Sequence, residues 1–510
     1  MRPNRRVLVA FACLAWALVI QAQAPAEPLA TLRAEIAALI HGGPAPGATW
    51  ACQVVSAESG AVWFERDPAR LMVPASNTKL FTVAMALDRF GTNGTFDTEW
   101  RWNGTPDATG TLPGDAWLLA GGDPSPGGGL SEPRALAGLV DALSRAGVRR
   151  IQGRVLLHDA WFDAPPFGPG WNWDDLPEAY GAPVTGFHWA DNAVTLVVEP
   201  GAAAGAQATV RTLPIPGAFE VESSVHTVAS NTPARVVIRR SSDTSRFRFN
   251  VSGSVRMGPP HVERMAVPNA AEWFAAGLRA ALRERRIDNE GVVVAHGSPN
   301  PPEPAARPAR ARSLPLAEVA AQCLKPSNNR IAHALWLQVG ADVRRNPRSG
   351  EATKKDQPAD ALDDNDRAAL AIERFAERIG IPRGDVVLEE GSGLSRKNLV
   401  TPRATVRLLR AMDAGPAASA WNAALPVGGV DGTLRGRFKD AASKGRVVAK
   451  TGTLRHIHSL AGYVTTAAGQ RLAFALYVNG HASPGDASSG RADIDRIATQ
   501  LAAFKGRGPQ

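Results

Sequence analysis

The chain has 510 residues, of which 44% are hydrophobic and 21% charged, and a formal net charge of +9. That length accommodates two or three domains with a sizeable core, and the composition excludes a disordered or fibrous protein. No cluster of His, Cys and carboxylate residues has metal-ligand spacing, and no cofactor is expected.

The N-terminus does not belong to the fold. Met1-Arg2-Pro3-Asn4-Arg5-Arg6 is basic, Val7 to Ile20 is apolar, and Ala22-Gln23-Ala24 fits a small-residue cleavage site. Residues 1–24 therefore read as a secretory signal peptide whose apolar run is too short for a membrane span. Cleavage removes Arg2, Arg5 and Arg6 and no acid, leaving 54 cationic against 48 acidic residues, or +6. A mildly basic exported chain, in the periplasm or cell envelope, suits an anionic wall polymer or peripheral membrane contact. Nucleic acid is excluded by the compartment and by the lack of a groove-reading motif. Cys52 and Cys323 survive cleavage in apolar segments and are expected to be two buried free thiols rather than one bridge.

Thr49 to Ala57 and Ala61 to Arg66 read as strands joined by the turn Glu58-Ser59-Gly60. A helix starts at Ser76 and ends near Gly91. From about 96 to 305 the chain is rich in Gly, Pro, Trp and short β-like runs, including Gly153 to Leu157, Ala193 to Val198, Arg235 to Ile238 and Arg246 to Phe249. A helix near Ala270 to Arg285, a strand at Val292 to Ala295 and a Pro-rich linker at Pro299 to Pro308 close this section. The basic stretches Arg283 to Arg286 and Arg307 to Arg312 are expected to be a solvated helix face and a linker. Helical periodicity returns at Leu316 to Leu337 and at Ala368 to Ile379. Strand-like runs follow at Arg446 to Lys450, Ser459 to Thr466 and Arg471 to Val478, then a helix over about Arg491 to Phe504. Strands at both chain ends with helices between them predict an α/β (α+β) domain, made of residues 25–95 and 306–510. Its antiparallel sheet is completed by the two ends, and a mostly β region, 96–305, is inserted into it.

Three short motifs carry chemistry. Ser76-Asn77-Thr78-Lys79 is the only Ser-x-x-Lys in the chain, and it stands at a helix start. Residues three apart on a helix are neighbours. Neutral Lys79 could take the Ser76 proton and make a nucleophile; by itself the pair reads more readily as a helix cap and a solvated lysine. Ser327-Asn328-Asn329 is a Ser-x-Asn opening the helical run Arg330 to Leu337, so that Ser327 can relay a proton and Asn329 can hold a substrate amide. Ser298-Pro299-Asn300 repeats the pattern in the linker and is discounted. Lys450-Thr451-Gly452-Thr453 ends a β-like run. Thr451 and Thr453 can bind a carboxylate, Gly452 allows close approach by a substrate backbone, and Lys450 adds a charge that attracts the carboxylate and depresses a nearby amine.

Ser-x-x-Lys, Ser-x-Asn and Lys-Thr-Gly in this order are the recurring set of penicillin-binding proteins and serine β-lactamases. Finer likeness lies in Pro74 to Lys79, Gly121-Gly122-Asp123-Pro124, Gly170 to Asp175, Gly391-Ser392-Gly393-Leu394-Ser395, Gly429 to Leu434, and Ala449 to Thr453 with Leu460-Ala461-Gly462-Tyr463. On these residues the chain resembles the D-alanyl-D-alanine carboxypeptidase/endopeptidase family, the class C low-molecular-mass penicillin-binding proteins. The 251 positions between Ser76 and Ser327 fit that family's inserted domains and not a compact β-lactamase.

The resemblance implies a β-lactamase/transpeptidase-like fold, peptidoglycan stem peptides as substrates and covalent inhibition by β-lactams. Ser76 would be the nucleophile, Lys79 its base and Ser327 the proton relay. Asn329, Lys450, Thr451, Gly452 and Thr453 would bind substrate. Backbone N–H groups of Ser76 and Thr453 would form the oxyanion hole. Bringing Lys79 from about 10.4 to neutrality costs roughly 4 kcal/mol, to be met by burial and the like charge of Lys450. Asn328 stands where the family often has Asp, His158-Asp159 replaces a more acidic pair, and His456 and His458 are unusual; Trp171 and Trp173 are read as structural. Two alternatives remain at this level: a serine β-lactamase or esterase on the same fold, and a non-catalytic wall-binding protein.

Overall fold

The computed structural model describes residues 28–42, 47–125, 134–241, 248–295, 301–303, 309–348, 361–481 and 489–509. The signal peptide, the second Ser-x-Asn and most of the Pro-rich linker lie outside the described residues. We number only the elements around the principal sheet: α1 (Pro28–Gly42), β1 (Thr49–Ser56), β2 (Val62–Arg66), α2 (Thr78–Phe90), α3 (Leu316–Leu324), α4 (Asn329–Arg345), α5 (Asp364–Arg378), α6 (Pro402–Ala414), α7 (Ala418–Ala424), β3 (Val447–Leu454), β4 (Ile457–Thr465), β5 (Arg471–Asn479) and α8 (Ser489–Ala503).

The sheet runs β3-β4-β5-β1-β2 and is antiparallel throughout. Both chain ends build it, as the strand-like runs predict. Successive side chains on a strand face opposite ways, and β5 is buried on both faces. Leu472, Phe474, Leu476 and Val478 pack with Trp50, Cys52 and Val54 under α1 and α8. Ala473, Ala475 and Tyr477 face α2, α4 and α6. The small residues on that face let helices approach the sheet closely. α2 is buried along all of Thr78 to Leu87. A helix apolar on every side belongs in a core rather than on a surface.

The middle section has its own core and further sheets. A five-stranded sheet places Val292–Val294, Val155–His158, Ala116–Leu119, Asp97–Trp102 and Ala309–Arg312 in that order. A three-stranded sheet is built around Ala193–Glu199, and a four-stranded one around Arg248–Arg256. The helices Arg134–Arg145 and Ala270–Glu284 pack in the same core as these sheets. The entering strand Asp97–Trp102 and the leaving strand Ala309–Arg312 pair with each other, so the predicted boundary at 305/306 falls before the last strand of this sheet. The basic run up to Arg312 is likewise not all linker: Arg310 sits opposite Glu99 and Arg312 opposite Asp97, and both pairs are ionic. Opposite charges directly across a ladder favour strand pairing.

Two expectations need revision in the helical layer. The periodicity at Leu316 to Leu337 is two helices, α3 and α4, broken at Ser327, whose φ is 64°. α1, α6 and α7 escaped the sequence reading altogether. Cys52 and Cys323 are free and buried. Among the described residues no helix is long and apolar enough to cross a membrane.

Candidate active site

Ser76 sits in a 3-10 turn, Ala75–Asn77, that runs directly into α2. Lys79 is completely buried one turn later. Its Nζ lies 2.9 Å from Ser76 Oγ, 2.6 Å from Asn329 Oδ1 and 2.5 Å from the Ser392 carbonyl oxygen. The latter two oxygens only accept, so they take two N–H groups. A neutral amine then has one lone pair left, and only the Ser76 hydroxyl can donate to it. Burial drives the Lys79 pKa down to about 8, against the opposing pull of Cys323 and Glu390.

The break between α3 and α4 presents Ser327 to the third motif. Lys450 Nζ donates to Ser327 Oγ at 2.8 Å and to the Thr451 carbonyl at 2.8 Å. Lys450 is also completely buried. Burial first, and then the Lys79 ammonium, hold it well below the ordinary lysine range. Burial, one of the two causes expected to depress Lys79, is the larger one.

β3 is the edge strand, and it carries the whole of Lys450 to Thr453 within it rather than at its end. Thr451 Oγ1 donates to Thr433 Oγ1 at 2.9 Å. Thr433 in turn is fixed because its N–H bonds the Lys325 carbonyl, while Lys325 Nζ pairs with Asp431 at 2.6 Å. The Gly429 to Leu434 loop thus ties the end of α3 to β3. Gly452 is also required by packing within the protein. A Cβ there would lie 2.2 Å from Ser459 Oγ, 2.6 Å from the Pro74 carbonyl oxygen and 3.1 Å from Ser76 N. Its close neighbour is the protein's own nucleophile turn, and the missing side chain lets β3 lie against it.

The loop after α5 closes the pocket around Lys79. Glu390 is fully buried and accepts from Ser392 N (2.7 Å), Ser392 Oγ (2.6 Å), Gly393 N (2.6 Å), Asn398 Nδ2 (2.8 Å) and Trp171 Nε1 (3.1 Å). These bonds hold the Ser392 carbonyl against Lys79. Gly393 has a φ of 87°, and a Cβ there would lie 2.0 Å from the Ala75 carbonyl oxygen. Trp171 is therefore structural, as read, whereas Trp173 is exposed.

Other singled-out residues lie elsewhere. His158 packs against Trp117, and Asp159 accepts from Gly186 N at 2.7 Å, both contacts within the middle section. His456 turns the β3–β4 hairpin at φ 67° and contacts the His481 carbonyl. His458 lies 3.3 Å from Thr453 Oγ1 and stacks on His481. Among the described residues no group of three or more His, Cys, Asp or Glu is placed to hold a metal ion.

Sequence reasoning missed Glu390, the Ser392 carbonyl and the Tyr180 carbonyl, which accepts from Asn329 Nδ2 at 2.9 Å. Glu390 had a signal, a carboxylate heading a Gly-Ser-Gly turn rich in N–H donors. The carbonyls had none, because any residue carries one. A cleft of about 1190 Å³ adjoins this site, lined by Ser327, Asn329 and Arg330 and by Tyr180, Asp191 and Arg264 of the middle section.

The model of the D-Ala-D-Ala carboxypeptidase 3 (S13) family matches residues 32–501. The chain belongs to that family. A D-alanyl-D-alanine carboxypeptidase of Actinomadura sp. is 31% identical over 496 residues, covering 95% of this chain and 87% of the relative. The crystal structure of penicillin binding protein 4 from Haemophilus influenzae superposes with a TM-score of 0.74 at 24% identity, over 91% of this chain and 98% of that one. The same protein complexed with a novel β-lactam gives 0.69 at 23% identity, with the same coverage. At those identities the structural likeness is one of fold. Family membership makes the chain a serine D-Ala-D-Ala carboxypeptidase, and the motif residues of this carboxypeptidase gather around two buried lysines, Lys79 and Lys450.

Proposed function

We propose that the chain is an exported enzyme that cleaves D-Ala-D-Ala ends of peptidoglycan stem peptides through an acyl-enzyme on Ser76. The observation that carries this reading is the three-oxygen environment of Lys79, which leaves one lone pair for the Ser76 proton. Catalytic segments 25–95 and those after Arg312 form one unit in this reading, and the middle section an inserted one.

The substrate's terminal carboxylate lies against Thr451, Thr453 and Lys450. An anion arriving there favours the charged form of Lys450, which burial disfavours. Ser76 Oγ attacks the penultimate carbonyl carbon while its proton moves to Lys79 Nζ. N–H groups of Ser76 and Thr453 stabilise the oxyanion, an effect of about 3–4 kcal/mol per donor. The C–N bond breaks as Ser327 relays to the leaving amine the proton that Lys79 took from Ser76, which leaves the Ser327 hydroxyl intact and Lys79 neutral again. Asn329 holds the substrate amide side and orients Lys79. Water then hydrolyses the ester on Ser76. The complex of the Haemophilus influenzae protein with a β-lactam supports β-lactams as acylating inhibitors here. The adjoining cleft supports a leaving group larger than one alanine, and hence endopeptidase action on cross-linked peptides.

The test incubates purified wild-type, Ser76→Ala and Lys79→Arg proteins with stem peptides and cross-linked muropeptides, and quantifies released D-Ala and cleaved dimers separately. Wild type should release D-Ala and be acylated by penicillin, and both variants should lose this. Acylation of Lys79→Arg at the wild-type rate would overturn the role of Lys79.

A further inference from the structure

The Ser327 turn is gripped from the middle section by one carboxylate. Asp191 lies in the turn Ala190–Asn192, whose three residues have φ of 50°, 58° and 51°. Consecutive left-handed residues other than glycine are uncommon and persist only where surrounding contacts enforce them. Here Asn192 enforces them: it is fully buried, accepts from Trp189 N at 3.0 Å and donates to the Pro183 carbonyl at 2.8 Å. Asp191 is thereby held out towards α4.

Its Oδ1 accepts from Asn328 Nδ2 at 2.9 Å and from Arg330 Nε and Nη2 at 3.2 and 3.0 Å. Arg264 pairs with Oδ2 at 3.3 Å. Asn328 Oδ1 accepts from Ile331 N at 2.9 Å and so caps α4. Contacts therefore alternate along four residues. Ser327 and Asn329 reach Lys450 and Lys79, whereas Asn328 and Arg330 reach Asp191. Ser327 itself is left-handed, so its position depends on what fixes its flanks. One flank is Lys325, tied to Asp431 and Thr433; the other is Asn328.

We propose that Asp191 is a positioning residue for the reaction, setting Ser327 and Asn329 against the two lysines by holding Asn328 and Arg330 from behind. This rests on the reading of Ser76, Lys79 and Ser327 given above. It also accounts for Asn328, where the family often has Asp. Asp191 needs a donor opposite it, and a second carboxylate would be repelled.

The test uses the full chain and three variants, Asp191→Asn, Asn328→Asp and the double exchange, which keeps the same groups with acid and amide traded. Acylation by a penicillin is resolved into its rate constant and its binding constant, D-Ala release into kcat and KM, and folding is followed by thermal melting. A misplacement of about 1 Å at a catalytic group costs up to roughly a hundredfold in rate. Each single variant should lose about tenfold or more in the acylation rate constant and kcat, with KM within about threefold of wild type. The double exchange should recover most of that loss. Asp191→Glu, which keeps a charge for Arg330 but pushes the turn, should lose rate without lowering the melting temperature. Acylation of the Asp191 variants at the wild-type rate, a loss confined to KM, or a double exchange no faster than the slower single variant would each overturn the proposal. Retained acylation of Ser76→Ala would instead sink the underlying reading.

Discussion

The pH dependence of acylation tests the state of Lys79 directly. Its ordinary value is 10.5, and burial brings it to about 8. At pH 7 that leaves about 9% of the enzyme with a neutral amine, against about 0.03% for an unperturbed lysine, a gain of roughly 300-fold in available base. Between pH 7 and pH 9 the neutral fraction rises about tenfold and then levels off. The rate constant for penicillin acylation, followed by stopped flow from pH 6 to pH 10, should therefore climb with an apparent pKa near 8. The same burial costs stability. Folding releases the Lys79 proton in the window between about 8 and 10.5, because the unfolded chain still binds it there. Stability should accordingly rise with pH across that window, from a cost of about 3 kcal/mol at pH 7. An acylation rate that is flat between pH 7 and pH 9, or one that rises only above pH 10, would refute Lys79 as the neutral base.

Three other outcomes follow from the geometry. Gly393→Ala drives a methyl group into the Ala75 carbonyl at a left-handed position, so urea unfolding should show a loss of at least about 2 kcal/mol together with slowed acylation. Glu390→Ala strips acceptors from the Ser392, Gly393, Asn398 and Trp171 donors; a destabilisation of at least about 3 kcal/mol is expected, and an unchanged melting curve would contradict the role given to this loop. Cys52 and Cys323 are buried with pKa values raised by desolvation to about 12 and about 11. Neither thiol should react with a disulfide reagent until the protein unfolds, which a thiol titration with and without denaturant would check.

The candidate site was legible because it is carried by side chains at short spacing. Ser76 and Lys79 share one turn of helix, Ser327 and Asn329 flank a cap, and Lys450 to Thr453 lie on one strand. Their residue types name their roles whatever the distant fold does. The sheet was legible for a related reason: β5 is a continuous apolar run between its end residues, and β1 and β4 are largely apolar. α1 was not, since its apolar face is weakly marked in sequence and is defined by the sheet it covers, whereas α6, amphipathic and capped by Thr401 before Pro402, carried a local signal.

What the sequence determined by itself was the identity of the proposed reacting groups and the order in which the chain supplies them. Tertiary structure alone decided their protonation and their spacing. The Lys79 pKa falls to about 8 because distant segments, among them Glu390 to Gly393 and Asn329, bury it. Gly452 and Gly393 are glycine because two backbones from opposite ends of the chain pass within van der Waals contact of the nucleophile turn. Asp191 reaches Asn328 across 137 positions of chain. Desolvation, close approach and long-range pairing are properties of what surrounds a residue in space, and no local pattern encodes them.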